Sequence, residues 1–298
     1  MARQQETNVG GMKKVLSMEV DGDTESEYRI QVNNQVKYIV VQPGVYDFDE
    51  ILSFPPALLE NLPSFPPGNW TSMNVARGAD GAPTCTISSK PLEAVTRIWH
   101  PKMVDVLGLK EIGRFGARVR IVEWEGREVV AKIARFDFEI RLVENETRVY
   151  EKLEKDKIKY PDLAAISPAF FGHLTEDGRV MGMLIENLEG RMVRIEDISA
   201  CETIVRRLHT LGIVHGDLNR HNFVVDKQSG IVRLIDFENA KDYSNVKAKE
   251  EIDSLKDQLV EDTGRGGQED FSDWKIIYLL NQLNHKLLAL TTLYRLKL

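Results

Sequence analysis

Over residues 195–237 the hydrophobic period of the chain changes once, and an octet that is polar save for Leu218 occupies the change. Ile195, Ile198, Cys201, Ile204, Val205, Leu208 and Leu211 recur at helical spacing, which predicts a helix from about Ile195 to Leu211 that Gly212 can end. Next come Ile213-Val214 and the octet His215-Gly216-Asp217-Leu218-Asn219-Arg220-His221-Asn222. Asn222 to Asp226, the turn Lys227-Gln228-Ser229-Gly230 and Ile231 to Phe237 then read as a β-hairpin. That hairpin delivers Asp236-Phe237-Glu238 fourteen residues after Asn222. The polar loop is thus pinned between a helix and a tight hairpin, and a third acidic-aromatic segment returns beside it.

Composition narrows the class. With 42% hydrophobic and 29% charged residues in 298, the chain has the balance of an ordinary globular protein and length enough to bury a core without staples. Cys85 and Cys201 allow at most one bridge, so the expectation is a reducing, cytoplasmic setting with both thiols packed as small apolar groups. The first fourteen residues lack an apolar stretch of signal-peptide type, and no window reaches the roughly 18 apolar residues of a membrane span. A net charge of -7 argues against nucleic acid or an anionic membrane as partner. Oligomeric state is left open.

Upstream, Tyr28 to Val32 and Val36 to Val41 flank Asn33-Asn34-Gln35 as a hairpin. The repeated Ser53-Phe54-Pro55-Pro56 and Ser64-Phe65-Pro66-Pro67, interleaved with Leu58, Leu59 and Leu62, predict a packed irregular segment, and residues 76–90 a loop. Arg118 to Trp124, the turn Glu125-Gly126 and Arg127 to Arg135 predict two paired strands. Asp137 is then expected to cap a helix to about Leu153, with Ile140, Val143, Thr147, Tyr150 and Leu153 on one face. Met181 to Ile185 reads as a buried strand. Residues 241–268 are charged, and Glu250, Glu251, Asp253 and Glu261 read as a solvated helix face. Gly264-Arg265-Gly266-Gly267 lacks the Lys-Ser or Lys-Thr of a nucleotide P-loop and reads as a flexible connection, while 270–296 has the pattern of a closing helix.

The octet, the following Asp236-Phe237-Glu238, Lys132 on a strand and Glu146 on the next helix resemble the catalytic machinery of the protein-kinase-like superfamily. The His-Gly-Asp form is common among metabolite kinases, and the closest resemblance is to aminoglycoside phosphotransferase and choline-kinase-like small-molecule kinases. It implies an α+β, bilobal fold: an antiparallel-sheet N-lobe with one helix over 109–189, a shortened, mainly helical C-lobe over 190–298, and an N-terminal extension over 1–108. It also implies ATP and Mg²⁺ as cofactors and a small-molecule acceptor, because ATP brings several negative charges that phosphoryl transfer needs neutralised while the acceptor is held in line.

By the same resemblance Asp217 orients or accepts the acceptor hydroxyl's proton, and Asn222 and Asp236 are hard oxygen ligands to Mg²⁺. Lys132 holds the α- and β-phosphates and is held by Glu146, with Glu139 and Glu144 as nearby alternatives on the helix. Ile112-Gly113-Arg114-Phe115-Gly116-Ala117-Arg118-Val119 stands where a glycine-rich nucleotide loop belongs, although Glu111 replaces its first glycine. Gly113 and Gly116 can approach phosphates, Arg114 or Arg118 can add charge, and the stretch also fits an ordinary β-turn. Val130 is placed against the adenine, and Glu186 to Leu188, with Glu186 and Leu188 at its ends, at the hinge. His215 braces the loop, His221 has no assigned role, and Asp273-Trp274 resembles the pair that anchors the catalytic loop from below.

Departures from protein kinases are equally legible. Gly216 stands where they carry the arginine that senses a phosphorylated activation loop, Glu238 replaces a glycine, and no Ala-Pro-Glu follows. A phosphotransferase acting on a small-molecule hydroxyl is the leading expectation. A catalytically idle nucleotide-binding module, an atypical protein kinase, and a relative that transfers AMP or activates a carboxylate are the alternatives.

Overall fold

The computed structural model describes residues 12–160 and 165–261. Its first sheet has the order β1 (Lys13–Glu19), β2 (Ser26–Val32), β3 (Gln35–Val41), β4 (Ser72–Arg77), β5 (Pro83–Ser88). The expected hairpin is β2–β3, and Asn33 takes a φ of 55° at its turn, a conformation that asparagine tolerates better than most residues. Between β3 and the parallel β4 the proline-rich segment folds into the short helix α1 (Pro55–Asn61), where prolines in the first turn surrender no needed N–H. Leu58 and Leu62 are buried there with Tyr28, Ile30, Ile39, Trp70 and Met73, so the segment is packed, though helical where irregular chain is expected.

Residues 76–90 depart from the expected loop. They contain the end of β4, a turn at Asp80-Gly81 and β5, paired antiparallel from Ser72 opposite Ser88 to Arg77 opposite Pro83. β5 is an edge strand with most side chains exposed, so it lacks the apolar alternation by which a strand is recognised.

The second sheet has the order β6 (Met103–Asp105), β10 (Phe170–Glu176), β11 (Arg179–Glu186), β9 (Arg127–Ile133), β8 (Val119–Trp124), β7 (Lys110–Arg114). β8 and β9 are the expected pair, turned at Glu125 and Gly126, both with positive φ as a tight two-residue hairpin requires. α2 (Asp137–Lys159) follows, burying Ile140, Val143, Thr147, Tyr150 and Leu153. Two details differ from expectation. Asp137 is the first helical residue, and the start is held by Glu139, whose carboxylate accepts the Arg135 and Phe136 N–H groups at 2.5 and 3.4 Å. The helix also runs six residues past Leu153, to Lys159, through polar turns steadied by the Glu151–Lys155 pair at 2.6 Å.

The remainder comprises a small sheet of β12 (Gly190–Met192), β14 (Phe223–Asp226) and β15 (Val232–Leu234), the helix α3 (Ile198–Thr210), the paired β13 (Ile213–Val214) and β16 (Lys241–Asp242), and α4 (Asn245–Val260). α3 buries Cys201, Ile204, Val205 and Leu208 after one 3-10 turn at Ile195–Asp197, and Gly212 ends it at a φ of 73°. Ser244 caps α4, and one apolar core runs from β9 and α2 through α3 to Leu255 and Leu259 of α4. The architecture is mixed α+β. The glycine cluster at 264–267, the helix expected over 270–296 and Asp273-Trp274 lie outside the described residues. Among the described residues no helix is long and apolar enough to cross a membrane.

The first sheet is bolted to the second. Arg29 of β2 and Glu176 of β10 form an ion pair with both side chains 1% exposed, and Tyr38 donates its hydroxyl to the same carboxylate at 2.6 Å. Arg135 reaches Glu19 of β1 at 2.8 Å, and Val36 and Tyr38 share a small core with Phe136 at the start of α2.

Candidate active site

Lys132 lies in the middle of the second sheet, opposite Val119 of β8 and Met183 of β11, where its ammonium is withdrawn from water. Its Nζ meets Glu146 at 2.6 Å, Asp236 at 2.5 Å and Glu238 at 3.3 Å. Glu146 sits on the buried face of α2 between Val143 and Tyr150 and also accepts the Phe237 N–H at 3.3 Å. The alternatives on that helix are engaged elsewhere. Glu139 binds Arg135, and Glu144 accepts the Thr96 N–H at 2.6 Å.

Burial works against the charge on Lys132, but Asp236, Glu146 and Glu238 outweigh it and hold the ammonium above the usual lysine range. Burial pushes the Glu146 carboxyl up, with Lys132 opposing. Asp236 is less withdrawn, and Lys132 overcomes its burial to keep it below the usual carboxylate range.

The polar octet is tied at four places. His215 is buried beside Phe237, and Nε2 lies 3.0 Å from the Ile235 carbonyl. Burial depresses its basicity, so the neutral ring, protonated at Nε2, donates there. Gly216 has a φ of 81°, and a Cβ at that position would collide with the Asn239 carbonyl oxygen. Its N–H donates to Glu251 of α4 at 2.6 Å, and the other Glu251 oxygen meets His209 of α3 at 2.7 Å. The Asn222 side-chain amide donates to the Asp217 carbonyl at 2.8 Å, and the Asn222 carbonyl accepts the Ile235 N–H at 3.0 Å. Asp217, Asn222 and Asp236 are therefore neighbours held by backbone contacts, and Asp236 itself takes a φ of 65°. His221 is engaged by Arg220 at 3.2 Å.

Glu251 is the residue that sequence reasoning missed. It lies on the same stripe as Ala248, Leu255 and Leu259, three and four positions apart, and an acid inside an apolar stripe was the available signal.

At the segments expected to face a nucleotide the picture is more closed. Gly113 lies in β7 beside Ile121, and Gly116 lies in the turn that follows. The Phe115 and Gly116 N–H groups both donate to the Val119 carbonyl, at 2.9 and 3.2 Å. Val130 is buried in β9. Glu186 donates its N–H to the Ala169 carbonyl at 2.9 Å, and its carboxylate accepts Arg233 at 2.8 Å. Leu188 is half-buried on the segment between β11 and β12.

The donor set fits a hard divalent cation. Glu146, Asp236 and Glu238 bring carboxylate oxygens within 4.8 Å of one another around the Lys132 ammonium, and Arg118 also pairs with Glu238. The Nη2 of Arg118 is buried without a hydrogen-bond partner among the described residues, a donor that fits a phosphate oxygen.

A strand lysine clamped by a helix glutamate, a braced His-Gly-Asp loop and a returning aspartate are brought together, the arrangement that the resemblance to the protein-kinase-like superfamily implies. Residues 185–273, under a third of the chain, match the model of the lipopolysaccharide kinase (Kdo/WaaP) family, which belongs to that superfamily and whose members are kinases that use ATP. The matched span holds the octet, Asp236 and Glu251, whereas Lys132 and Glu146 lie upstream of it. No curated protein sequence matches the chain.

Proposed function

We propose that the chain is an ATP- and Mg²⁺-dependent phosphotransferase acting on a hydroxyl of a small molecule, with residues 109–189 and 190–298 as its two lobes and 1–108 as an extension. The observation that carries this reading is the junction at Lys132, where Glu146 and Asp236 meet one ammonium from a helix and a hairpin. In this reading Lys132 holds the α- and β-phosphates, with Glu146 fixing its direction. Asn222 and Asp236 hold Mg²⁺, which supplies neutralisation of phosphate charge when bound. Asp217 orients the acceptor hydroxyl and receives its proton. Gly113, Gly116, Val130, Glu186 and Leu188 surround the nucleotide. The family description names lipopolysaccharide, so a saccharide hydroxyl is the first acceptor class to test.

A second reading, an idle nucleotide-binding module, is favoured by the internal bonding of the Phe115, Gly116 and Glu186 amides. Product analysis separates the two. With ATP, Mg²⁺ and a small-molecule extract, the phosphotransferase releases extract-dependent ADP, and Asp217→Asn abolishes it with ATP affinity near normal. AMP as product indicates adenylyl transfer instead, and bound ATP without any product supports the idle module. Undiminished turnover in the Asp217→Asn protein would falsify the role given to that residue.

Glu251 supplies a further prediction. Glu251→Ala removes the acceptor of the Gly216 N–H, which immediately precedes Asp217. Turnover is expected to fall about 100-fold through misplacement of Asp217, with the ATP dissociation constant within about twofold of wild type. A parallel loss of ATP affinity would instead mean general disruption.

A further inference from the structure

We propose that Arg118 is a polyphosphate ligand of the nucleotide site, performing with its side chain what the glycine loop does not offer through its backbone. The inference rests on the phosphotransferase reading and names a residue of that same site. The turn between β7 and β8 spends the Phe115 and Gly116 amides on one carbonyl, Val119, so those donors are committed inside the loop. The two arginines bordering the turn have different fates. Arg114 folds back on Glu111 with two bonds of 3.0 Å at the surface, side chain 38% exposed. Arg118, 16% exposed, reaches across to Glu238 at 2.9 Å and touches the Ile133 carbonyl at 3.3 Å through Nε.

Three observations place Arg118 at the polyphosphate. Glu238 is shared with Lys132 at 3.3 Å, so the two cations face one carboxylate oxygen, Lys132 from β9 and Arg118 from the turn just before β8. The Arg118 Nη2 is withdrawn from water with no hydrogen-bond partner among the described residues, which is costly unless a ligand satisfies it. The guanidinium is planar and multidentate, suited to oxygens of a phosphate chain in a way an ammonium is not. Glu238 then acts as the resident anion that keeps the two cations apart and oriented until phosphate oxygens take its place.

The test is equilibrium binding of ATP, ADP and AMP to the full chain, for wild type, Arg118→Ala, Arg118→Lys and Arg114→Ala, with circular dichroism as the folding check. Arg118→Ala is expected to weaken ATP and ADP about 10- to 100-fold while AMP changes little, as befits loss of a charge-assisted contact. Arg118→Lys, which keeps the charge and the fold, recovers only part of the loss, and Arg114→Ala binds all three as wild type does. Wild-type ATP affinity in a folded Arg118→Ala or Arg118→Lys protein overturns the proposal alone, as does an equal loss for AMP. Absence of ATP binding by the wild type overturns it together with the phosphotransferase reading.

Discussion

Lys132→Met is expected to cost turnover about a hundred- to thousandfold and to deepen the loss of the site's stability as pH rises. The turnover loss follows from removing the one ammonium that touches both Glu146 and Asp236, a preorganised charge in a site where water does not replace it. The stability effect follows from Glu146, whose side chain is 1% exposed. Leaving it unpaired costs about 3–5 kcal/mol if it stays ionised. Burial already raises its proton affinity above the usual value of 4.5, and without Lys132 nothing comparable opposes that rise. The folded variant then keeps a proton that the unfolded chain releases above about pH 4.5, so its stability falls as pH increases. Urea unfolding at pH 5.5 and pH 8 measures this directly. A variant equally stable at both, or one with undiminished turnover, would remove Lys132 from the centre of the site.

The second large effect is at the seam between the first two sheets. Arg29→Ala leaves Glu176 inside the protein with Tyr38 and Arg179 as its polar partners among the described residues, and a loss of about 3–5 kcal/mol is expected. In the wild type, burial pushes the Glu176 carboxyl up, but Arg29 prevails and holds it below 4.5. The pair's contribution is therefore present above that pH and is lost on acidification through the lowered value. The double variant Arg29→Met, Glu176→Leu removes both charges and is expected to regain most of the loss while shedding this acid-sensitive part. Denaturant titrations at pH 7 and pH 4 distinguish the outcomes. If the single variant unfolds like wild type, the seam is not held by this pair.

Much of the site was legible because its residues sit where the chain changes period. The amphipathic stripe of α3, the polar octet and the hairpin bearing Asp236 are each local patterns, and the structure places them in that order. The resemblance set Glu146 ahead of Glu139 and Glu144, and Glu146 is the one that meets Lys132. What escaped was long-range. Arg29 and Glu176 are separated by 147 positions, and on alternating strands a charge bound for burial looks like one bound for water. Glu251 was hidden by its acidic neighbours, and the reach of Arg118 to Glu238 depends on how two hairpins dock. β5 escaped for the opposite reason, since an edge strand need bury almost nothing.

The backbone at Gly216 carries a consequence for how such a domain can change over time. Its φ of 81° and the Asn239 carbonyl packed against it leave no room for any side chain one position ahead of Asp217. The arginine that protein kinases place there, and through which they read a phosphorylated loop, is therefore not one codon away. Acquiring it would require the chain at Asn239, three residues after Asp236, to move away first. In this geometry a side chain that reads a phosphorylated loop from the position before Asp217 and the present course of the chain at Asn239 exclude one another.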